Sequence, residues 1–527
     1  MEDEFSRCSS AAAQKVYAID LTKLIQFHLL FQQIPTVCKA GKTISVVPMV
    51  ECSPSLSLLF TANNRHIMKK LLLLATLLPA LSYAQDYNTD STFFRSVSDN
   101  VLKSRAAYNN LYHLTKKIGG RLAGSPQMIK AEQWGVTAFK SAGADNIILQ
   151  ECKVPHWVRG GKDKASASYK NTNGKTVTVA LNILALGNSV GTGARGIKAP
   201  IVRVHSFDEL EQKKDELKGK IVFYSVPFED EFIHTFNAYG KNVIFRAIGA
   251  SRAAKYGAVA VLVRSMTNSV DNNPHTGSLR YLDSLPQIPA AAVGLRDVEK
   301  LDTLLDEGKS INAQLFTYGK MLPDETGHNV IGEIKGSEHP DEYITVGGHL
   351  DSWDVNEGAT DDGAGIVQTI EILRAFKALG YQPKHSIRFV LFANEENGLR
   401  GGTKYAEEAK SKNEKHVFAL ESDAGGFTPR SFSIGTSTEG MAKLNSWLKL
   451  FQPYGVTEFT PGGGGADVTP VADAFKIPVA ELIPDSQRYF DLHHAVNDVL
   501  ENVNIRELKL GAINMAGLLY LVDKYGL

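Results

Sequence analysis

Cysteine is nearly absent, at four residues in a chain of 527. So sparse a supply excludes a disulfide framework as the source of stability. A surplus of one charge is missing as well, since 57 basic side chains balance 57 acidic ones. Nucleic-acid binders normally carry a basic excess or stripe, so no nucleic-acid partner is expected. No apolar run reaches the roughly 20 residues that cross a bilayer, and stable membrane insertion is not expected either. Yet 43% of the residues are hydrophobic and only 22% charged, which excludes disorder as the main state. What remains is a large globular chain of roughly three to four domain-sized units, or one large α/β domain carrying an insertion.

The strongest targeting signal is MKKLLLLATLLPALSYAQ, residues 68–85. Lys69 and Lys70 supply a charged start, Leu71 to Leu81 an apolar core interrupted by Pro79, and Ser82-Tyr83-Ala84 a small-x-small cleavage signal. The pattern predicts a signal peptide over 68–84 and export to a periplasmic or extracellular space. Because such a peptide stands at an amino terminus, Met68 is expected to be the true start, with residues 1–67 an upstream, non-native translation. Cys8, Cys38 and Cys52 fall in that stretch, which leaves Cys152 alone in the exported chain. With Gln85 and not Cys at the cleavage point, a bacterial lipid anchor is not expected there.

Further along, helical spacing over Thr92 to Ile118 and near Met128 to Ala142 flanks the turn-rich GGRLAGSP, Gly119 to Pro126. Strand-like runs follow at Asn146 to Val154 and Thr176 to Leu186. Residues 191–325 read as an inserted α+β domain. It holds short strands at Pro200 to Val204, Lys220 to Val226, Val259 to Arg264 and Ala290 to Val293, a helix at Arg246 to Tyr256, and no spacing that suits a metal or a nucleophile. From Gly327 onward strands and helices alternate. The strands are expected at Asn329 to Ile334, Tyr343 to Gly348, Ser386 to Ala393, His416 to Leu420 and Pro478 to Leu482. The helices are expected at Gly363 to Leu379, Gly402 to Ser411, Glu439 to Phe451 and Ile505 to Tyr525. The fold class is therefore α/β, a mostly parallel mixed sheet flanked by helices, built from residues 86–190 and 326–527 with the insertion between.

Chemistry-bearing residues cluster just after these strands, where open α/β sheets place their sites. The clusters are His349-Leu350-Asp351, Asp361-Asp362-Gly363, Asn394-Glu395-Glu396, Glu421-Ser422-Asp423 and His493-His494 with Asp498. Each alone is an ordinary surface pair or helix cap. Together they would bury mutually repelling carboxylates, which is costly unless a cation neutralises them. Imidazole and carboxylate without thiolate suits zinc first, with cobalt or manganese as substitutes. The donors outnumber what one tetrahedral ion can use, which favours two ions bridged by an Asp. Of two adjacent glutamates at a strand end, one can coordinate while the other approaches the attacking water. Cys152 reads as inert packing, and His275, His385 and His416 have no partner that can be named.

The segments GGHLDSWDVNEGATDDGAG, FANEENGLRGG, ESDAGGF, GGGGADVTP and YFDLHHAVND, between Gly347 and Asp498, resemble the co-catalytic zinc aminopeptidase and glutamate carboxypeptidase superfamily, and within it its plasma glutamate carboxypeptidase branch. GGRLAGSP and a region similar to a protease-associated domain extend the likeness over nearly all of the chain after Ala84. The resemblance implies two zinc ions, one on His349 and Asp423, the other on Glu396 and His494, with Asp361 bridging. It implies that Asp351 orients His349 and that Glu395 is the general base for a metal-bridging water. A cis bond between Asp361 and Asp362 is often found in the family. Where many relatives carry Tyr before the last ligand, this chain has His493, so the group that assists the tetrahedral intermediate stays open.

The implied activity is hydrolysis of dipeptides or short peptides by an exopeptidase, whether aminopeptidase, carboxypeptidase or dipeptidase. The competing readings are a catalytically inactive receptor-like relative and a glutaminyl-cyclase-like acyltransferase with one zinc. The insertion is expected either to cover the site or to build a homodimer interface.

Overall fold

A computed structural model describes residues 86–527; the expected upstream segment and signal peptide lie outside the described residues. The chain opens with helix α1 (Tyr87–Lys103), started by the Asp86 carboxylate, which accepts the Thr89 N–H. The single helix expected over Thr92 to Ile118 is instead three pieces. Ser104 turns extended at ψ 146° and ends α1. Then come α2 (Ala106–Tyr112) and a π-helical turn, His113–Ile118, which Gly119 closes at φ 80°. Helix α3 (Pro126–Ala142) starts on Ser125 with Pro126 in its first turn and stops at left-handed Gly143.

Two eight-stranded sheets follow. The first has the order β1-β10-β12-β11-β13-β16-β14-β15. It comprises β1 (Asn146–Val158), β10 (Lys320–Ile334), β11 (His339–His349), β12 (His385–Phe392), β13 (Lys415–Glu421), β14 (Pro429–Gly435), β15 (Glu458–Pro461) and β16 (Val479–Pro484). Its centre, β12-β11-β13-β16, is parallel, and β10 pairs antiparallel with both β1 and β12.

The second sheet has the order β3-β2-β9-β5-β6-β7-β8-β4. It comprises β2 (Lys164–Lys170), β3 (Thr176–Leu181), β4 (Ile183–Ala185), β5 (Ile197–Val204), β6 (Ile221–Tyr224), β7 (Ala260–Arg264), β8 (Ala290–Val293) and β9 (Asn312–Phe316). This corrects the boundaries of the insertion. Its sheet begins at Lys164 rather than 191, because β2 and β3 pair with β9 and not with β1. The first sheet resumes at Lys320 rather than 326.

The remaining helices are α4 (Phe207–Gln212), α5 (Thr235–Ala254), α6 (Leu295–Asp306), α7 (Gly363–Ala378), α8 (Arg400–Ser411), α9 (Thr438–Phe451), α10 (Thr469–Phe475), α11 (Tyr489–Leu492) and α12 (Ile505–Tyr525). Apolar side chains of α1, α3, α7, α9 and α12 form one core with the first sheet, while α8 and α10 contribute to a second apolar cluster with Val390, Phe392 and Ala419 of the same sheet. The insertion keeps its own two cores, drawing on α6 and on α5 respectively. Among the described residues no helix is long and apolar enough to cross a membrane.

Helix α7 leaves β11 toward β12 on one side, and the chain then crosses to β13 on the other. The order of the parallel strands therefore reverses at β11, the position where such sheets leave a crevice at their carboxyl ends.

Candidate metal centre

His349 ends β11, Asp423 follows β13, and Glu395 and Glu396 follow β12, so three adjacent parallel strands deliver their side chains to one edge. Asp361 comes from the loop ahead of α7, whose cap is Asp362: its carboxylate accepts the Gly365 N–H at 2.8 Å and the His349 N–H at 3.1 Å. The Asp361–Asp362 peptide bond is cis. His493 and His494 follow α11.

These residues converge. His349 Nε2 lies 3.1 Å from Asp361 Oδ1 and 3.1 Å from Asp423 Oδ1. His494 Nε2 lies 3.2 Å from the other oxygen of Asp361, Oδ2, and 3.1 Å from Glu396 Oε2. Donors bonded at about 2.0–2.1 Å to one tetrahedral ion stand roughly 3.3 Å apart, so both spacings suit an ion at the middle of each set. Glu396 Oε1 is buried with no hydrogen-bond partner, a further donor aimed at nothing in the protein.

His493 is also near, with Nε2 3.8 Å from Asp361 Oδ2, but its ring lies on that of His494 at 3.5 Å and 21°. Rings stacked face to face cannot both direct an in-plane lone pair at one ion. His494, which reaches both Asp361 and Glu396, is the better placed.

Electrostatics carries the same pattern. Burial pushes the His349 imidazole down, but Asp423, Asp351 and Asp361 outweigh it and hold the ring well above its ordinary value. His494 is held at about 9, burial being overcome by Glu396 and Asp361. Asp361, pushed up by burial, is brought well below the carboxylate range by the two histidines. Protons on the imidazoles thus neutralise the carboxylates where a divalent cation would do so more fully. Glu395 makes no side-chain hydrogen bond, and burial with Asp423, Glu396 and Asp467 nearby holds it well above its ordinary value.

Asp351 stands differently from expectation. The nearest acceptor for His349 Nδ1 is the main-chain carbonyl of Asp351, at 3.1 Å; its carboxylate is 3.5 Å away. That carboxylate accepts the backbone N–H groups of Glu395 at 2.9 Å and Glu396 at 3.3 Å, so it fixes the glutamate loop as well as the histidine. Asp498 plays a similar part, accepting the N–H groups of Thr360 at 2.7 Å and Asp361 at 3.1 Å.

Sequence reasoning passed over Arg121. Its fully buried guanidinium donates to the carbonyls of Leu350, Glu357 (2.8 Å) and Gly358 (3.0 Å), and so holds the loop that joins His349 to Asp361. The only signal was its place in GGRLAGSP. Burial lowers it to about 10, although Asp351, Asp498 and Asp362 raise it. Asp467, from the GGGGADVTP segment, is fully buried with neither carboxylate oxygen partnered, and burial pushes it up to about 8.

His416 and His385 turn out to be satisfied structural histidines, on Glu414 and Thr345 and on Asp523 respectively. His275 is buried without a ring partner, and burial lowers it to about 4. A cavity of about 710 Å³ opens over the carboxylates, walled on the far side by Phe236, Tyr239, Arg246 and Tyr281 of the insertion. The insertion therefore faces the site.

Residues 329–518 match peptidase family M28. The chain is 35% identical over 416 residues to carboxypeptidase Q of Mus musculus, covering 79% of this chain and 85% of that one. It is 34% identical to carboxypeptidase Q of Homo sapiens over the same shares of the two chains. Among solved structures, a peptidase M28 precursor from Shewanella amazonensis superposes with a TM-score of 0.78 at 32% identity, over 83% of this chain and 97% of the other.

Proposed function

The chain belongs to peptidase family M28 and is a metallo-exopeptidase, and from that premise we propose that it is an exported two-zinc enzyme that hydrolyses dipeptides or short peptides. One observation carries the reading: two imidazoles approach opposite oxygens of a single carboxylate, Asp361, each with a further carboxylate beside it. His349 and Asp423 would hold one zinc, Glu396 and His494 the other, and Asp361 would bridge them. Zinc bound there supplies Lewis acidity, polarising the scissile carbonyl and making water acidic enough to attack near neutral pH.

The protein's own groups do the rest. Glu395 faces the cavity with no partner of its own, free to take a proton from the attacking water and return it to the leaving amine. Asp351 keeps that glutamate in place by holding its N–H. The cavity of about 710 Å³ suits a dipeptide-sized ligand, since small-molecule sites are commonly about 300–1,000 Å³. Export rests on residues 68–84, and the insertion would act as a protease-associated-like cover on the cavity.

Glu395→Gln should abolish turnover of a dipeptide while two zinc ions per chain stay bound. Retained activity would refute the role of Glu395. A panel of dipeptides with free and blocked ends would show which terminus is required.

A further inference from the structure

The two halves of the metal centre are supported unequally. Around His349 and Asp423 every contact comes from the first sheet and its loops: the Asp351 carbonyl, the Asp362 carboxylate, and Gly347, whose carbonyl accepts the Ser422 N–H at 3.1 Å. The Glu396 and His494 side differs, because the insertion reaches His494 itself and Asn397, the residue after Glu396.

Thr276, in the loop before β8, grips His494 at two points. Its N–H donates to the His494 carbonyl at 3.0 Å, and its carbonyl stands 3.2 Å from His494 Nδ1, the nitrogen facing away from Asp361. A neutral imidazole offering Nε2 to an ion must carry its proton on Nδ1, and the Thr276 carbonyl is the acceptor for that proton, since Arg246 Nη1, 3.3 Å from the same nitrogen, can only donate. Asn188, between β4 and β5, reaches the other side. Its Oδ1 accepts from Asn397 Nδ2 at 3.1 Å, and its own amide donates to the Asn397 carbonyl at 3.4 Å, one residue beyond Glu396.

The backbone is left-handed at Asn188 (φ 65°), Asn394 (φ 62°) and His494 (φ 61°), a conformation uncommon outside glycine. Asparagine tolerates this conformation, so the strain falls on His494, which the Thr276 contacts hold in place.

We infer that Asn188 and Thr276 are positioning residues for one metal site only, so that the insertion completes the Glu396–His494 half while the His349–Asp423 half is independent of it. The inference rests on the two-zinc reading above.

Thr276 acts through its main chain, so Gly277→Ala serves to disturb it. Gly277 has φ 133°, a conformation strained for alanine whatever the space, so the turn that carries Thr276 should shift, while the Arg246 guanidinium, the end of a flexible side chain, can move aside from the added Cβ. Asn188→Ala tests the other contact independently. Leu301→Ala, in the insertion's own core and remote from both contacts, is the control for general loosening.

Full-length metal-free protein would be titrated with Co²⁺, the visible absorption of each equivalent being followed, and zinc content measured after dialysis. The wild type and Leu301→Ala should bind two equivalents with the same two spectra, the control melting at a lower temperature. Asn188→Ala and Gly277→Ala should keep one equivalent at wild-type strength and weaken the other at least tenfold, with its spectrum altered. Two equivalents at wild-type strength in both variants would overturn the inference, as would equal weakening of both sites. A wild type that binds a single ion would refute the two-zinc reading instead.

Discussion

The buried Arg121 allows a prediction that separates geometry from charge. In Arg121→Met three buried carbonyls, those of Leu350, Glu357 and Gly358, lose their donor. The Gly358 carbonyl still accepts the Gly363 N–H at 3.0 Å, so two are left bare, and at about 1–3 kcal/mol for each unsatisfied buried acceptor the loss is roughly 2–6 kcal/mol. Removing the charge gives some of this back. Burial has lowered the guanidinium from 12.5 to about 10, a shift worth about 3 kcal/mol at ~1.4 kcal/mol per unit. The methionine variant should therefore be destabilised by roughly 1 kcal/mol, within a span of about −1 to 3 kcal/mol.

Arg121→Lys keeps the desolvated charge but loses the planar fork, leaving about one carbonyl bare at roughly 1–3 kcal/mol with nothing returned. The conservative substitution should thus be at least as harmful as the drastic one. Urea denaturation of the metal-free proteins measures both, and the slopes should match that of the wild type. A lysine variant within about 0.5 kcal/mol of wild type would refute the reasoning, since the charge alone would then suffice.

Further outcomes follow from the same geometry. Asp498→Asn can accept only one of the two N–H groups of Thr360 and Asp361, and should lose about 10–100-fold in zinc affinity or in kcat/KM; an unchanged value would show that the Asp361 loop holds itself. Asp467 and Glu481 are held at about 8, above their ordinary values, first by burial and then by neighbouring charges. The folded chain then binds more protons than the unfolded one from about pH 4 to about pH 8, so stability of the metal-free protein should fall as pH rises through that window. A melting temperature that stays level or climbs from pH 5 to 8 in chelator would contradict it. Cys152 is buried with its thiol pushed up to about 12 by burial, so iodoacetamide should modify it only after denaturation, as peptide mapping would show.

Much of the first sheet was legible because its central strands are continuous apolar runs between glycine and acidic turns. The α12 bounds, Ile505–Tyr525, and the β8 bounds, Ala290–Val293, coincide with expectation. The clusters were legible too, since three of the five groups of metal-binding residue types stood just past predicted strands, one ahead of a predicted helix and one near the carboxyl end. Strands β2 and β9 were not, because KASASYK and NAQLF carry too few large apolar residues to reveal a face. The expected Arg246 to Tyr256 helix starts at Thr235, its first turns being aromatic and polar rather than periodic. Helix α6 carries Leu295, Val298, Leu301 and Leu304 on its buried side, a three-residue spacing that is visible in the sequence. Thr276 could not have been found, since a main-chain carbonyl leaves no trace in residue type. The same holds for Asp351, whose backbone does part of the work expected of its side chain.

The way the insertion joins the first sheet has a consequence for exchange between proteins. Val158 and Lys320 are paired residues on adjacent antiparallel strands, so everything between them leaves and re-enters the sheet through one gap a strand spacing wide. Ends already held together make the closure entropy of the intervening segment nearly insensitive to its length, each doubling adding only about 0.6 kcal/mol. No strand of the first sheet lies within the segment, so the pairings that set that sheet's register are all made by residues outside it. Other segments could be fitted to the same slot, and one lacking counterparts of Asn188 and Thr276 would re-roof the cavity while leaving one of the two ion sites without its outer support.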